Sequence, residues 1–138
     1  MRKLQRQYGL SYLFISHDLS VVRYMADVIG VMYLGKLVEV GAAETVCTRP
    51  AHPYTRGLID AVPVVALSAG GRQAGRGIEG EPPAAEQRAA ASPPSGCRFA
   101  ARCALAREIC AAQEPPLAPA GGGQAVACHF PLDGLPAR

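Results

Sequence analysis

The stretch from residue 64 to residue 95 most restricts what this chain can fold into. It is dominated by Ala, Gly, Pro, Ser and Arg, and it holds almost no large apolar side chain that a core could bury. A segment of this composition cannot bury enough apolar surface to offset the entropy lost on ordering it. We therefore expect a flexible linker at residues 64–95, which divides an apolar region at 1–63 from a smaller region at 96–132 and a tail at 133–138.

The first region has the apolar runs and turn signals of an α/β fold. Residues 10–16 predict a strand with both faces covered, as in a parallel sheet, so His17 would lie at the carboxyl end where such sheets bind ligands. Pro53 fixes the start of a helix, and we interpret His52 beside it as structural. The pattern predicts helices over residues 2–8, 19–26, 41–47 and 54–61, and strands over residues 10–16, 28–33 and 37–40, the last two as a hairpin.

Charge and hydropathy argue against two classes of function. The net charge of +3 comes from scattered arginines, and the chain has three Phe and no Trp with which to stack on bases. No apolar run approaches the roughly 20 residues of a membrane-spanning helix. The first nine residues also lack an apolar signal region. We therefore expect a cytoplasmic chain that does not bind nucleic acid.

One apparent phosphate-binding motif is misleading. The segment GVMYLGKL at residues 30–37 satisfies the spacing G-x-x-x-x-G-K of a phosphate-binding loop. Leu37, however, has no hydroxyl for Mg²⁺, and the LVEV that begins there predicts a strand where a phosphate loop requires a helix N-terminus. The sequence therefore predicts a strand, a turn and a strand here, and no nucleotide binding by this segment.

Four of the five cysteines fall in a segment framed by Pro and Gly, with the spacing C-x5-C-x6-C-x17-C. So few apolar residues surround them that a cross-link must supply the order of this segment. Two disulfides would suit an oxidising compartment. Zinc usually takes a tighter pair of cysteines, although His129 offers a further nitrogen, and an iron–sulfur cluster accepts wider spacings. The four are Cys97, Cys103, Cys110 and Cys128, whereas Cys47 stands apart as a small buried hydrophobe.

Two segments carry a resemblance to a known family. FISHDLSVVRYMADVIGVMYLGKLVEVG, at residues 14–41, resembles the region that follows the catalytic core of an ATP-binding-cassette (ABC) ATPase. RPAHPYTRGLIDAVP, at residues 49–63, and the cysteine segment resemble the C-terminal extension of the oligopeptide/dipeptide importer ATPases. The resemblance implies an α/β fold: the C-terminal end of a P-loop ABC ATPase domain with an incomplete sheet, then a flexible linker and a small cysteine-rich metal or cluster module.

The resemblance also implies roles for single residues. His17 matches the family's switch histidine, which contacts the γ-phosphate of ATP, whereas an isolated His would more often cap a helix or pack in a core. Ala101 and Ala104 stand near the second cysteine, where family members commonly have Pro. The four cysteines match those that can carry a [4Fe–4S] cluster, so we favour the cluster over zinc, in a structural or regulatory role. They are Cys97, Cys103, Cys110 and Cys128, with His129 as a weaker metal ligand.

The resemblance implies that this chain is a fragment of a longer protein. The full-length protein would be the ATP-binding subunit of an ABC importer for di- or oligopeptides, peripheral on the inner face of the membrane. Its partners would be a second ATP-binding subunit, permease subunits and, indirectly, a peptide-binding protein. This sequence lacks the P-loop, the signature loop and the catalytic Glu, so we expect it to be inactive alone with ATP and Mg²⁺. The alternative is a stand-alone iron–sulfur or zinc-binding interaction module without ATPase activity, and a third possibility is a small redox protein.

Overall fold

The computed structural model describes residues 2–17, 19–61 and 95–132. The predicted linker, apart from residue 95, and the predicted tail at 133–138 lie outside these residues. The described helices are α1 Arg2–Tyr8, α2 Leu19–Met25, α3 Ala43–Thr48, α4 Pro53–Asp60 and α5 Glu108–Ala112, with 3-10 turns at Ala100–Arg102 and Gly121–Gly123. The described strands are β1 Val28–Tyr33, β2 Lys36–Ala42, β3 Ala118–Ala120 and β4 Gln124–Val126.

The hairpin of β1 and β2 forms because two residues between the strands adopt left-handed backbone conformations. Leu34 has φ 45° and Gly35 has φ 80°, and two positive φ values are what a tight two-residue hairpin turn requires. Side chains of β1 alternate between exposed and buried along the strand. The prediction of a strand, a turn and a strand at residues 30–37 is confirmed, which removes the apparent phosphate-binding loop.

Residues 118–126 add two strands to this hairpin. In the sheet order β1-β2-β4-β3 every pair is antiparallel. Strand β4 pairs with β2 through Glu39 with Val126 and Val40 with Ala125. The backbone N–H of Ala127 extends the pairing with a 2.8 Å hydrogen bond to the carbonyl of Val38. The cysteine-bearing residues are therefore anchored to the same sheet as the hairpin.

The core lies between this sheet and helices α3 and α4. An aromatic cluster closes one end of it, with the Phe99 ring 5.2 Å from that of Tyr33 and 5.5 Å from that of Tyr54. Tyr54 and Leu58 of α4 pack against the core, as their helical spacing predicts. The buried core residues are Ile29, Val31, Tyr33, Val38, Ala43, Val46, Cys47 and Phe99, so the prediction of a buried Cys47 is confirmed.

The predicted strand at residues 10–16 is wrong. The structure has no strand there, and the Leu13 and Ile15 side chains are 93% and 97% exposed. A strand needs a hydrogen-bonding neighbour, and the four described strands pair only with one another. The expectation of a parallel strand covered on both faces therefore fails, because nothing in the described part of the chain lies against these apolar side chains.

The predicted helices are confirmed within one or two residues at most ends. Helix α4 begins at Pro53, where a missing N–H costs nothing because the first N–H groups of a helix have no intrahelical partner. Helix α2 ends at Met25, shortly before Asp27. None of the helices in the described ranges has the length and apolar character needed to cross a membrane.

Candidate functional site

The four cysteines of the C-terminal segment border one small cavity of about 20 Å³. Cys97 precedes the 3-10 turn at Ala100–Arg102, Cys103 follows it, Cys110 lies in α5 and Cys128 follows β4. A 2.7 Å hydrogen bond from the Cys97 N–H to the Cys110 carbonyl holds two of these backbones together. His52, Phe99 and His129 also line the cavity, so residues on both sides of positions 64–95 build its wall.

Backbone N–H groups turn toward three of the sulfur atoms. Burial raises the pKa of the thiols of Cys97, Cys103 and Cys128. In each case a hydrogen bond to the sulfur from the N–H two residues later acts in the opposite direction and favours the thiolate. These turns place partial positive charge where thiolate ligands would carry negative charge. The donors are Phe99 to Cys97, Leu105 to Cys103 and Phe130 to Cys128.

The donor chemistry of this cavity fits a thiolate-bound metal centre, although the ligand spacing is not formed. All five cysteines are free thiols. Across residues 2–17, 19–61 and 95–132, no three His, Cys, Asp or Glu side chains are spaced to hold an ion. A cavity of about 20 Å³ takes about one water-sized occupant. The thiols would have to rearrange to bind either zinc or a four-iron cluster, so both metal groups are proposals.

His52 joins helix α4 to this cavity. Its side chain is 1% exposed, and its Nδ1 accepts a 3.0 Å hydrogen bond from the N–H of Tyr54 as the N-cap of the helix. Burial lowers the pKa of His52 to about 4, so its imidazole is neutral at pH 7. The sequence identified His52 as structural, and the N-cap confirms that part. Its place on the cavity wall was missed, because that place depends on residues more than 40 positions away.

Glu39 holds the loop before α4 in place, and sequence analysis missed it. Its carboxylate is fully buried and accepts hydrogen bonds from the N–H groups of Ala51 (2.8 Å) and His52 (2.9 Å) and from Gln124 Nε2 (3.0 Å). Gln124 Nε2 also donates to the carbonyl of Arg49 at 3.1 Å. A buried carboxylate requires such donors to replace water. We call this set of contacts the Glu39 clasp; an acid within the apolar run LVEVG was the signal that could have revealed it.

The structure leaves His17 apart from the cysteine cavity. The His17 side chain is exposed in a bend just before α2, and it does not line the cavity. Asp18, beside it, lies outside the described residues. His129 does line the cavity, and its Nε2 lies 3.0 Å from the carbonyl oxygen of Gln113. Of the predicted site residues, the structure thus brings together the four cysteines and His129.

Comparisons with known proteins place this arrangement in a family. Residues 38–110 match the family described as the oligopeptide/dipeptide transporter C-terminal region. The chain is 43% identical over 130 residues to the oligopeptide transport ATP-binding protein AppF of Bacillus subtilis, covering 94% of this chain and 38% of AppF. It is 43% identical over 126 residues to a "Probable peptide ABC transporter ATP-binding protein", y4tS of Sinorhizobium fredii, covering 91% of this chain and 34% of that protein.

The family match begins within β2 and ends at Cys110, so it includes Glu39 but not Gln124 of the Glu39 clasp, together with the HPYT segment and three of the four clustered cysteines. The chain spans little more than a third of the length of these two relatives. The resemblance identified from the sequence is thereby confirmed. Since the match extends over more than half of its residues, this chain belongs to the oligopeptide/dipeptide transporter C-terminal region family.

Proposed function

We propose that this chain is the C-terminal part of an ATP-binding subunit of an ABC importer for di- or oligopeptides. The observation that carries the proposal is the 43% identity to an oligopeptide transport ATP-binding protein across 94% of this chain. In the whole protein, ATP hydrolysis would drive peptide import. The partners would be a second ATP-binding subunit and permease subunits, with a peptide-binding protein acting indirectly, at the inner face of the membrane.

His17 is the residue of this chain that we assign to the chemistry of ATP. Phosphoryl transfer is catalysed mainly by positioning and by donors directed at developing charge. An imidazole can donate a hydrogen bond to the γ-phosphate or orient the attacking water. The exposed side chain of His17 supports this role, because a residue that serves a nucleotide must reach out of its own core.

The cysteine cavity is proposed as a metal centre that orders the C-terminal segment. Cys97, Cys103, Cys110 and Cys128 would hold a [4Fe–4S] cluster, with zinc as the alternative and His129 as a weaker ligand. When bound, the metal group would act as a cross-link among backbone segments that share few apolar contacts. Support comes from the convergence of four thiols on one cavity and from the N–H groups directed at their sulfurs.

The comparisons give no support to the alternative of a stand-alone metal-binding module. Both relatives are named as ATP-binding proteins, and each aligns with more than nine-tenths of this chain. A small redox protein gains no support either, since the relatives' names refer to transport.

The test of the proposed function uses the complete protein that contains this chain, in cells that lack the gene. We expect uptake of a labelled oligopeptide to be restored by the wild-type gene. His17→Ala should abolish uptake and ATP hydrolysis while ATP binding persists. Gln113→Ala, an exposed position, serves as the matched control and should behave as wild type. Full peptide uptake with His17→Ala would overturn the assignment of His17, and no uptake with the wild-type gene would overturn the importer function.

A separate experiment tests the metal centre. Protein purified without oxygen would be analysed for iron, sulfide and zinc per chain. We expect one cluster or one zinc ion in the wild type, loss of the metal in Cys103→Ser and its retention in Cys47→Ala, which removes a buried thiol outside the cavity. A wild-type protein free of metal would overturn this proposal.

A further inference from the structure

Cys97 and Cys110 are in direct contact through their backbones. The N–H of Cys97 donates a 2.7 Å hydrogen bond to the carbonyl of Cys110. Gly96 permits this approach, because a Cβ at that position would overlap the carbonyl group of Ala111. The backbone hydrogen bonds of Cys103 lead to two alanines instead. Within the described residues, Cys97 and Cys110 are therefore the pair of cysteines that a backbone hydrogen bond holds together.

The separation that this hydrogen bond imposes suits a disulfide. With standard backbone dimensions, a direct bond from N–H to carbonyl places the Cα atoms of its two residues roughly 5–6.5 Å apart. Disulfides usually join residues whose Cα atoms are about 4.4–6.8 Å apart. Both cysteines also line the cavity of about 20 Å³, which has room for about one water molecule. Burial is the main cause that raises the pKa of the Cys97 thiol, and the nearby Cys110 thiol raises it further, so the two thiols are neighbours.

The two thiols differ in their access to solvent. Cys110 is only 7% exposed, whereas Cys97 is partly buried. Cys97 also borders a wider groove of about 490 Å³, between the start of β2 and residues 114–117. A small reagent can therefore reach Cys97 first, and it can oxidise Cys110 through Cys97.

We propose that Cys97 and Cys110 form a reversible disulfide, with a low-molecular-weight disulfide such as oxidised glutathione as the oxidant. The inference goes beyond the proposed function, because it requires neither ATP nor a bound metal. It also differs from two permanent disulfides in an oxidising compartment, since this pair would be reduced again by an excess of reduced glutathione. A metal bound to these thiolates would block the reaction, so the disulfide belongs to the metal-free chain.

The reaction is a thiol–disulfide exchange in two steps. The Cys97 thiolate attacks one sulfur of oxidised glutathione, which breaks the glutathione S–S bond, releases one glutathione thiolate and leaves a mixed disulfide at Cys97. Cys110, having lost its proton to solvent, then attacks the Cys97 sulfur and releases the second glutathione thiolate. The two released thiolates take up the two protons that the cysteines lost. Two cysteine thiols are thus oxidised by two electrons, and one glutathione disulfide is reduced to two thiols.

Oxidation would change the C-terminal segment in two ways. The disulfide would close a loop over residues 97–110, which contains the 3-10 turn at Ala100–Arg102 and the first residues of α5. A covalent bond across this loop restricts the unfolded chain, so the oxidised protein should unfold at a higher urea concentration than the reduced protein. It would also withdraw two of the four clustered thiols from metal binding.

The experiment equilibrates the reduced full chain with mixtures of reduced and oxidised glutathione, with a metal chelator present and oxygen excluded. The remaining thiols are blocked and counted by mass spectrometry. We expect the folded wild type to fall from five free thiols to three, with Cys97 joined to Cys110. Proteolysis at arginine and glutamate residues puts each of the four clustered cysteines in its own peptide, so the peptides identify the linked pair.

Two variants and a change of solvent separate the native geometry from chance pairing. Cys110→Ser should keep glutathione attached to Cys97, because no neighbouring thiol displaces it. Cys103→Ser is the matched control and should form the same disulfide as the wild type. In concentrated urea, the shorter loops between cysteines adjacent in sequence cost less entropy to close. The preference for Cys97 with Cys110 should therefore be lost there.

Two results would overturn the inference. One is a folded wild type that keeps five free thiols at every glutathione ratio. The other is the same mixture of cysteine pairs with and without urea. The importer function is measured by peptide uptake and the metal centre by metal analysis, so both stand if this inference fails.

Discussion

Leu13 and Ile15, within residues 10–15, and Phe99, within residues 95–132, lie in opposite environments. The first segment, LSYLFI, is mostly large and apolar, yet Leu13 and Ile15 are almost completely exposed. The second is rich in Ala, Pro and Gly, yet it buries Phe99 to 4% exposure. The difference lies in neighbours, since Phe99 is surrounded by three rings and Leu13 by none in the described structure. Apolar composition makes burial favourable, but only a partner surface makes it occur.

The second region gains its neighbours through polar and backbone contacts as well. Strand β4 pairs with β2, Gln124 reaches the Glu39 carboxylate, and Arg98 donates to the carbonyl of Leu34. These contacts fix where the segment docks, and Phe99 supplies apolar area once it has docked. Substitutions in the two regions should therefore change the free energy of unfolding by different amounts, with the largest change at Phe99.

The same substitution in both regions tests the comparison directly. Phe99→Ala should lower the free energy of unfolding by about 3–5 kcal/mol, because a buried aromatic ring is replaced by a cavity. Phe14→Ala is the matched control, and with 41% exposure it should cost about 0.5 kcal/mol or less. Urea unfolding measures both. Equal losses would show that the two regions do not differ in packing.

Acid should lower the free energy of unfolding of the wild type through the protonation of His52. Its folded pKa of about 4 lies below the value of about 6.5 expected when unfolded, so the unfolded chain takes up the proton first as the pH falls. The contribution of neutral His52 to the free energy of unfolding is fully present above pH 6.5 and is lost as the pH falls to 4. The metal-free wild type should therefore lose about 3 kcal/mol over that range relative to His52→Asn.

The measurement is the difference between the urea-unfolding free energies of the two proteins at several pH values. His52→Asn carries no imidazole, so other titrating groups affect both proteins alike and cancel in the difference. Parallel pH profiles would contradict the buried, neutral state of His52.

Disrupting the Glu39 clasp should lower the free energy of unfolding more than disrupting an exposed ion pair does. Glu39→Gln keeps the shape of the side chain but replaces one acceptor oxygen with an N–H₂ group that faces backbone donors. We expect a loss of about 1.5–3 kcal/mol. Glu114→Gln, which breaks the exposed 2.9 Å pair with Lys36, is the control and should leave unfolding nearly unchanged. A comparable loss of unfolding free energy in both variants would show that the clasp stabilises the fold no more than an exposed ion pair does.

The smallest effect on stability is expected in the exposed apolar segment. The double substitution Leu13→Ser with Ile15→Ser should change the free energy of unfolding by about 0.5 kcal/mol or less. Self-association, followed by light scattering, should decrease because exposed apolar area is removed. A large loss of stability would mean that these side chains are buried against a surface of this chain.

Local features of this fold could be predicted from the sequence, and nonlocal ones could not. The hairpin and helix α4 follow from signals within a few residues, such as Leu34-Gly35 and Pro53. The prediction of a strand at residues 10–16 was wrong because an apolar run indicates a preference for burial without indicating which surface would bury it. Strands β3 and β4 have three residues each and were missed, since so short a run carries little periodicity.

The candidate site likewise combines features that the sequence predicts with features that it does not. The cysteine spacing drew attention to four thiols, and the structure places all four at one cavity. His52 lies on the wall of that cavity and Gln124 lies at the Glu39 carboxylate. Both contacts join residues on opposite sides of positions 64–95, so no local sequence pattern predicts them. The role of His17 depends on a nucleotide, and it stays a proposal.

The hydrogen bond between Gln124 and Glu39 also bears on the order of events during synthesis. Its two residues are 85 positions apart, so at about 5–20 residues per second Gln124 is added roughly 4–17 s after Glu39. For that time β2 has no β4 beside it and presents an open edge to other nascent chains. A ribosome that slows within this interval prolongs the exposure, so codon choice at residues 64–95 would affect the yield of folded protein without changing a single residue.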